Sequence, residues 1–189
     1  MINKTILSLF DFSGNWSRPY RDNGYNVIQI DIKHGIDIMN WDYKYIPKVD
    51  IMLIAMPCTD YALSGARWFA EKDRDGRTEK SQILLRKVKE IMDYFHPGIW
   101  AVENPMSRIH KLNTWLGAVK FKFNPYDFGD AHQKQTWLWG NFNPPLKTPG
   151  KNQGNWMYTS LGGKSEKTKE IRSTTPLGFA YAFFEANQV

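Results

Sequence analysis

The sequence is poor in cysteine: Cys58 is the only thiol in 189 residues. One cysteine cannot form an internal disulfide framework and cannot build a cysteine-rich zinc site. The four histidines, His34, His96, His110 and His132, are scattered without the spacing that metal ligation uses, so no metal is expected. No apolar run approaches the roughly 20 residues of a membrane span, and no leader with a charged start and an apolar centre is visible. These absences predict no membrane partner and a cytoplasmic setting. Internal repeats and low-complexity tracts are also lacking.

What is present suits a folded catalytic unit. With 42% hydrophobic residues the chain is not disordered, and 189 residues can build one α/β domain with a real core, taken here as residues 1–189. The net charge of +6 favours an anionic partner such as nucleic acid, although many soluble domains are modestly basic. Most of the eight tryptophans belong in a core, but some could stack on bases.

Short apolar runs alternate with polar turns. Residues 5–10, 27–30, 50–55 and 99–102 read as strands, with 119–123 a half-exposed strand and 136–139 an apolar one. Residues 81–95 read as a helix, with Leu84, Val88, Ile91, Met92 and Phe95 on one face and His96-Pro97-Gly98 as its stop. Residues 175–187 form a final apolar helix. Strands alternating with helices predict an α/β fold with a mostly parallel twisted sheet, which holds ligands beyond the carboxyl ends of its strands.

Reactive residues fall at those ends. Cys58 follows strand 50–55 in Met56-Pro57-Cys58-Thr59-Asp60-Tyr61. A thiolate there is a candidate nucleophile, while a lone cysteine is more often a small buried hydrophobe. Glu103-Asn104-Pro105 ends strand 99–102, and a carboxyl beside a cysteine on the neighbouring strand end can act in acid–base work. The turn Asp11-Phe12-Ser13-Gly14-Asn15 sits where a doubly wound fold binds its nucleotide. Asp31 ends the second strand, placed either to accept hydrogen bonds from a ribose diol or to cap the next helix. Residues 66–80 read as a mobile, charge-rich surface loop whose Arg67, Lys72, Arg74 and Arg77 meet phosphates or are merely solvated. Residues 141–173, rich in Gly, Pro, Asn, Ser and Lys, read as a basic loop touching phosphates or as a flexible connector.

These motifs carry a resemblance. Met56-Pro57-Cys58-Thr59-Asp60-Tyr61, followed by Ser64-Gly65, resembles the nucleophile loop of the cytosine-C5 DNA methyltransferases, with Thr59 in place of the usual Gln. Phe12-Ser13-Gly14 is similar to the Phe-x-Gly of that family's S-adenosylmethionine loop, with Trp16 and Ser17 replacing its later glycines. Glu103-Asn104-Pro105 resembles its Glu-Asn-Val. Tyr126-Asp127-Phe128-Gly129 and the segment 133–139 resemble its Asp-Tyr-Gly and Gln-x-Arg-x-Arg, with Gln135 and Trp137 where the arginines would stand. Residues 175–187 fall where the last motif returns to the cofactor, with Gly178-Phe179-Ala180 for its Gly-Asn-Ser/Ala. The order is kept from about residue 5 to 187.

The resemblance implies a Rossmann-like S-adenosylmethionine-dependent methyltransferase fold, its sheet ended by an antiparallel hairpin of 119–123 and 136–139. It implies methyl transfer to C5 of cytosine in DNA through a covalent adduct on Cys58, with Glu103 holding N3 of the base. Phe12, Ser13, Gly14, Asp31, Asp37 and Pro57 would bind the cofactor, with Asp37 toward the adenine amino group and the helix after Asp31 either trimmed or replaced by a chain that runs straight across. Asn104 and Gln135 would position the base, and Arg67, Arg74, Arg77, Lys164, Lys167 and Lys169 would contact DNA. Segment 141–173 stands where the family inserts a target-recognition domain but is too short to be one. The same chemistry on single-stranded DNA or a cytosine nucleotide, and a degenerate module that only binds nucleic acid or cofactor, are the alternatives.

Overall fold

The computed structural model describes residues 2–152, 154 and 166–189. Six strands form one sheet: β1 (Thr5–Leu9), β2 (Asn26–Ile30), β3 (Ile51–Ala55), β4 (Ile99–Pro105), β5 (Phe121–Phe123) and β6 (Thr136–Asn141), in the order β2-β1-β3-β4-β6-β5. β2, β1, β3 and β4 run parallel. β6 lies antiparallel to β4, and β5 antiparallel to β6, which is the expected edge hairpin. The helices are α1 (Arg18–Asp22), α2 (Phe69–Arg74), α3 (Arg77–Phe95), α4 (Ile109–Leu112), α5 (Glu166–Ser173) and α6 (Leu177–Ala186). No described helix is long and apolar enough to cross a membrane.

β3 is an unbroken apolar run, and β1 is interrupted only by Ser8 after its opening Thr5, because both faces of the sheet are covered. On one face Leu7, Leu9, Met52, Ile54, Val102 and Trp139 pack against Leu85, Val88, Ile91 and Met92 of α3. Ile38, Tyr43, Ile46 and Val49 fill the rest of that face. They belong to the connection from β2 to β3, where a crossover helix has indeed been trimmed to a single 3₁₀ turn, Ile32–His34. On the other face Ile6, Ile51, Leu53, Ala101 and Leu138 pack against Trp16, Tyr20 of α1, and Phe179, Ala180, Phe183 and Phe184 of α6.

Residues 66–80 are not the mobile loop that their composition predicts. They fold as the end of a 3₁₀ turn (Leu63–Trp68), α2 and the first turn of α3, so α3 begins at Arg77 rather than at residue 81. The polar side chains there bind one another. Arg108 forks onto Asp73 at 2.7 and 2.9 Å, Thr78 Oγ1 donates to Asp73 at 2.6 Å, and Arg77 pairs with Glu71 and Asp75. Gly76, at φ +84, makes the joint between α2 and α3, a backbone state that favours glycine. The basic loop expected over 141–173 is also corrected: β6 runs into it to Asn141 and α5 occupies Glu166–Ser173. Lys167 and Lys169 are on α5, and Lys164 lies outside the described residues.

Gly178 shows how tightly α6 is seated. A Cβ there would lie 1.9 Å from the carbonyl oxygen of Phe128. Gly178→Ala must push helix and loop apart and should cost about 1–3 kcal/mol of stability, the range for overpacked sites. A lowered urea midpoint is the expected result; an unchanged one would mean that the Pro125–Phe128 turn yields freely.

Candidate active site

The strands β2, β1, β3 and β4 deliver their carboxyl ends to one cavity of about 460 Å³. It lies between β1, whose connection leads to β2 on one side, and β3, whose connection leads to β4 on the other, the switch point at which open α/β sheets hold ligands. Phe10–Ser13 line it after β1, Asp31–Lys33 after β2, Ala55–Thr59 after β3, and Glu103 with Pro105 at the end of β4. Lys134 and residues of the α5 end, among them Glu170 and Arg172, complete the wall.

At one end Asp11 organises the loop after β1. Its Oδ2 accepts from Ser17 N, Ser17 Oγ and Ser8 Oγ, each at 3.1 Å, and its Oδ1 accepts from Ser13 Oγ at 3.2 Å. Burial pushes this carboxyl above the usual range, and the hydrogen bonds from Ser17, Ser8 and Ser13 work against that. Gly14 turns the chain at φ +68 beneath Gln29, whose Nε2 donates to the Asp11 carbonyl. Phe12 and Ser13 line the cavity, whereas Gly14 only shapes the turn. Asp31 caps the 3₁₀ turn, Oδ1 accepting from Lys33 N at 2.9 Å, and the residue also lines the cavity. Lys33 reaches Glu170 of α5 at 2.6 Å while lying over the Phe12 ring at 4.7 Å. Asp37 is not among the lining residues. It accepts from Met39 N at 2.9 Å and Asn40 Nδ2 at 3.2 Å in a local turn.

At the other end stand Cys58 and Glu103. Ala55 pairs with Glu103 in the β3–β4 register, and the chain then turns at Pro57 to bring half-buried Cys58 into the same cavity. The Cys58 carbonyl accepts from Tyr61 N at 3.1 Å and Ala62 N at 2.9 Å, closing the turn. Asn104 is fully buried and does not line the cavity. Its Nδ2 donates to Met56 O at 2.9 Å, so it braces the cysteine loop rather than facing a base. Lys72, read as exposed, is buried: its Nζ sits 3.0 Å from Asp60 Oδ1 and donates to the Thr59 carbonyl, while Ser81 Oγ donates to Asp60 at 2.6 Å. No local sequence pattern marks a pair twelve residues apart across a 3₁₀ turn and the start of α2.

Burial pushes the Cys58 thiol up; the Lys134 ammonium pulls it down and Glu103 adds to the rise. The Glu103 carboxyl is raised too, first by burial, with Lys134 opposing and Asp11 contributing. Gln135 is exposed and absent from the lining, and its neighbour Lys134 takes that place. Of the arginines expected at DNA, Arg67 lies over the exposed Trp68 ring at 5.2 Å, Arg74 is exposed, and Arg77 is held by Glu71 and Asp75; none lines the cavity.

No model of a known protein family matches the chain. A curated protein of Frog virus 3 (isolate Goorha), named "Probable DNA (cytosine-5)-methyltransferase", is 26% identical over 213 aligned positions, covering 90% of this chain and 94% of the relative. Among solved structures, the methyltransferase EhMeth of Entamoeba histolytica aligns with a TM-score of 0.53 at 15% identity, over 89% of this chain and 62% of that one. That likeness is one of fold, and the chain spans 56% and 62% of the solved chains it matches. Sheet order and site together define a Rossmann-like methyltransferase fold. Within that fold the chain is similar to the viral protein named for cytosine-5 DNA methylation, and the Pro57-Cys58 loop and the Glu103-Asn104 strand end carry the resemblance to that family.

The raised Glu103 carboxyl has a consequence for stability. At acid pH both folded and unfolded chains hold this proton. As pH rises through the ordinary carboxylate range the unfolded chain releases it while the folded chain keeps it, so ionisation favours unfolding. Glu103→Gln should therefore melt higher than the parent at neutral pH, with the difference vanishing below about pH 4. Thermal melts across that range check it; a variant less stable at neutral pH would show that the charged carboxylate is favourably held.

Proposed function

We propose that the protein transfers a methyl group from S-adenosylmethionine to C5 of cytosine in DNA through a covalent adduct on Cys58. The observation that carries this reading is the meeting of Cys58 and Glu103 in one cavity whose far end presents Phe12, Asp31 and Ile32. There the Asp31 carboxylate offers an acceptor for a ribose diol, and the Phe12 ring and the exposed Ile32 side chain offer apolar faces for an adenine. These residues fit S-adenosylmethionine, which supplies an electrophilic methyl group when bound.

The chain's own groups do the rest. Cys58, as thiolate, adds to C6 of the cytosine. Burial raises the Glu103 carboxyl and so favours its protonated form, which donates to N3, drawing electrons from the ring and making C6 a better target. The addition places electron density on C5, which takes the methyl group. Loss of the C5 proton then lets the carbon–sulfur bond break and frees Cys58. A duplex target must present its cytosine flipped out of the stack, since the cavity lies below the surface of the sheet edge. DNA as the substrate is supported by the viral relative's name and by the net charge of +6. Arg67, Arg74, Arg77, Lys164, Lys167 and Lys169 are the proposed phosphate contacts; Arg77 would have to leave Glu71 and Asp75 to serve.

Incubation with labelled S-adenosylmethionine and duplex DNA, single-stranded DNA or dCMP tests the reading, with label expected in the DNA. DNA bearing 5-fluorocytosine should trap a covalent complex, because fluorine cannot leave as a proton does, and Cys58→Ala should abolish it. A trap that persists in Cys58→Ala would remove Cys58 from the mechanism. Asp31→Ala should weaken cofactor binding by about 1.5–3 kcal/mol, the scale of hydrogen bonds to a charged group. Calorimetry showing no loss would leave Asp31 as a turn cap alone.

A further inference from the structure

We propose that Lys134 is the residue that favours the Cys58 thiolate against the effect of burial, supplying from the strand's approach the positive charge that the neighbouring positions Gln135 and Trp137 lack. The inference rests on Cys58 as the nucleophile. Its geometric basis is the placement of Lys134. The segment before β6 is irregular, so strand alternation does not govern which way its side chains point. Its backbone is pinned on both sides of Lys134: Gln133 N donates to the Gly154 carbonyl at 3.1 Å, Thr136 Oγ1 donates to the Lys134 carbonyl at 3.0 Å, and Met106 N donates to the Gln135 carbonyl at 3.1 Å. With the backbone so fixed, Lys134 lines the cavity with Cys58 and Glu103 while Gln135 is exposed. Trp137 is engaged elsewhere, packed near His110 and covered by Lys122.

A cation is needed at this point. Burial favours the neutral thiol, and an ionised Glu103 in the same cavity would disfavour a second anion. Four charged or titratable groups bear on the pair: Glu103 from β4, Lys134 from the approach to β6, Arg172 from α5, and Asp11 from the loop after β1, which acts on Glu103. Lys134 is the strongest charge acting on both Cys58 and Glu103. Its ammonium eases ionisation of either group while burial opposes both, and of the two singly ionised arrangements the one that serves the reaction has a protonated Glu103 beside a Cys58 thiolate in the cavity that Lys134 lines. That is the state the addition to C6 requires. Ionisation of Cys58 releases one proton to solvent, and no other group changes its charge. Lys134 thus acts through Cys58 as a positioning residue.

Because Cys58 is the sole cysteine, its ionisation can be read without any methyl transfer. The intact chain is treated with iodoacetamide across a range of pH, and the rate is followed by whole-protein mass. Lys134→Met should move the rise of the rate upward by about one pH unit, making alkylation about tenfold slower below that rise. Lys134→Arg should restore the parent profile. Lys134→Gln, which can still hydrogen-bond, serves as a second neutral variant should Lys134→Met melt early. Neutral variants that fold and keep the parent profile would overturn the proposal. So would a rate raised equally at every pH, which marks an opened cavity rather than a lost charge. An upward shift in a chain that methylates nothing would uphold the assignment of Lys134 while rejecting the proposed reaction; methylation with no shift would do the reverse.

Discussion

The register of β3 against β4 places Ala55 opposite Glu103, and the site depends on that pairing. A slip of one residue would turn every side chain of β3 to the other face, exchanging Met52 and Ile54, which face α3, for Ile51 and Leu53, which face α6. The strand is apolar throughout and cannot fix its own register by pattern. The register is held at its end instead, by Asn104 reaching across to the Met56 carbonyl and by the ladder that continues past the strands through Leu63 N to Met106 O at 2.9 Å. Cys58 and Glu103 are brought together by hydrogen bonds of Asn104, Leu63 and Met106, none of which lines the cavity.

Around this pairing the molecule sets burial against charge. Asp11, Cys58 and Glu103 are all pushed toward their neutral forms. Each is a carboxyl or thiol in a poorly hydrated place, which lowers the stability of the fold where it ionises. The same condition keeps a proton on Glu103 at a pH where a surface glutamate has lost it. The exposed end of the cavity is built differently, from paired charges and rings: Lys33, Glu170 and Phe12. One end holds chemistry by excluding water, the other holds its shape by pairing at the surface.

Much of this was legible in the sequence because apolar periodicity survives in the parts that face the core. β1 to β4, the edge hairpin and α3 follow from it, and the strand ends then locate Phe12, Asp31, Cys58 and Glu103 at one cavity. The misses share a cause. Residues 66–80 are polar, and composition reads polar as solvated, yet Asp73 is bound by Arg108, 35 residues away. Lys72 is buried against Asp60 for the same reason. Asn104 and Asp37 carry the right residue type, but a side chain has several directions open to it, and in both the local backbone takes the hydrogen bonds. Lys134 was passed over because the motif spacing singles out its neighbour, and spacing predicts facing only where the chain is already a strand.

The wall that α5 contributes to the cavity has a thermodynamic corollary. Thr175, just beyond α5, lines the cavity and accepts through its carbonyl from Asn15 Nδ2 at 3.0 Å, across 160 residues of chain. The Tyr20 hydroxyl likewise donates to Asn187 O at 3.2 Å. The binding cavity is therefore shared between the first strands and the last helices. Whatever it binds interacts with both, and its binding energy adds to the free energy that docks residues 166–189 onto the sheet. Ligand occupancy and the seating of these helices are two readings of one equilibrium.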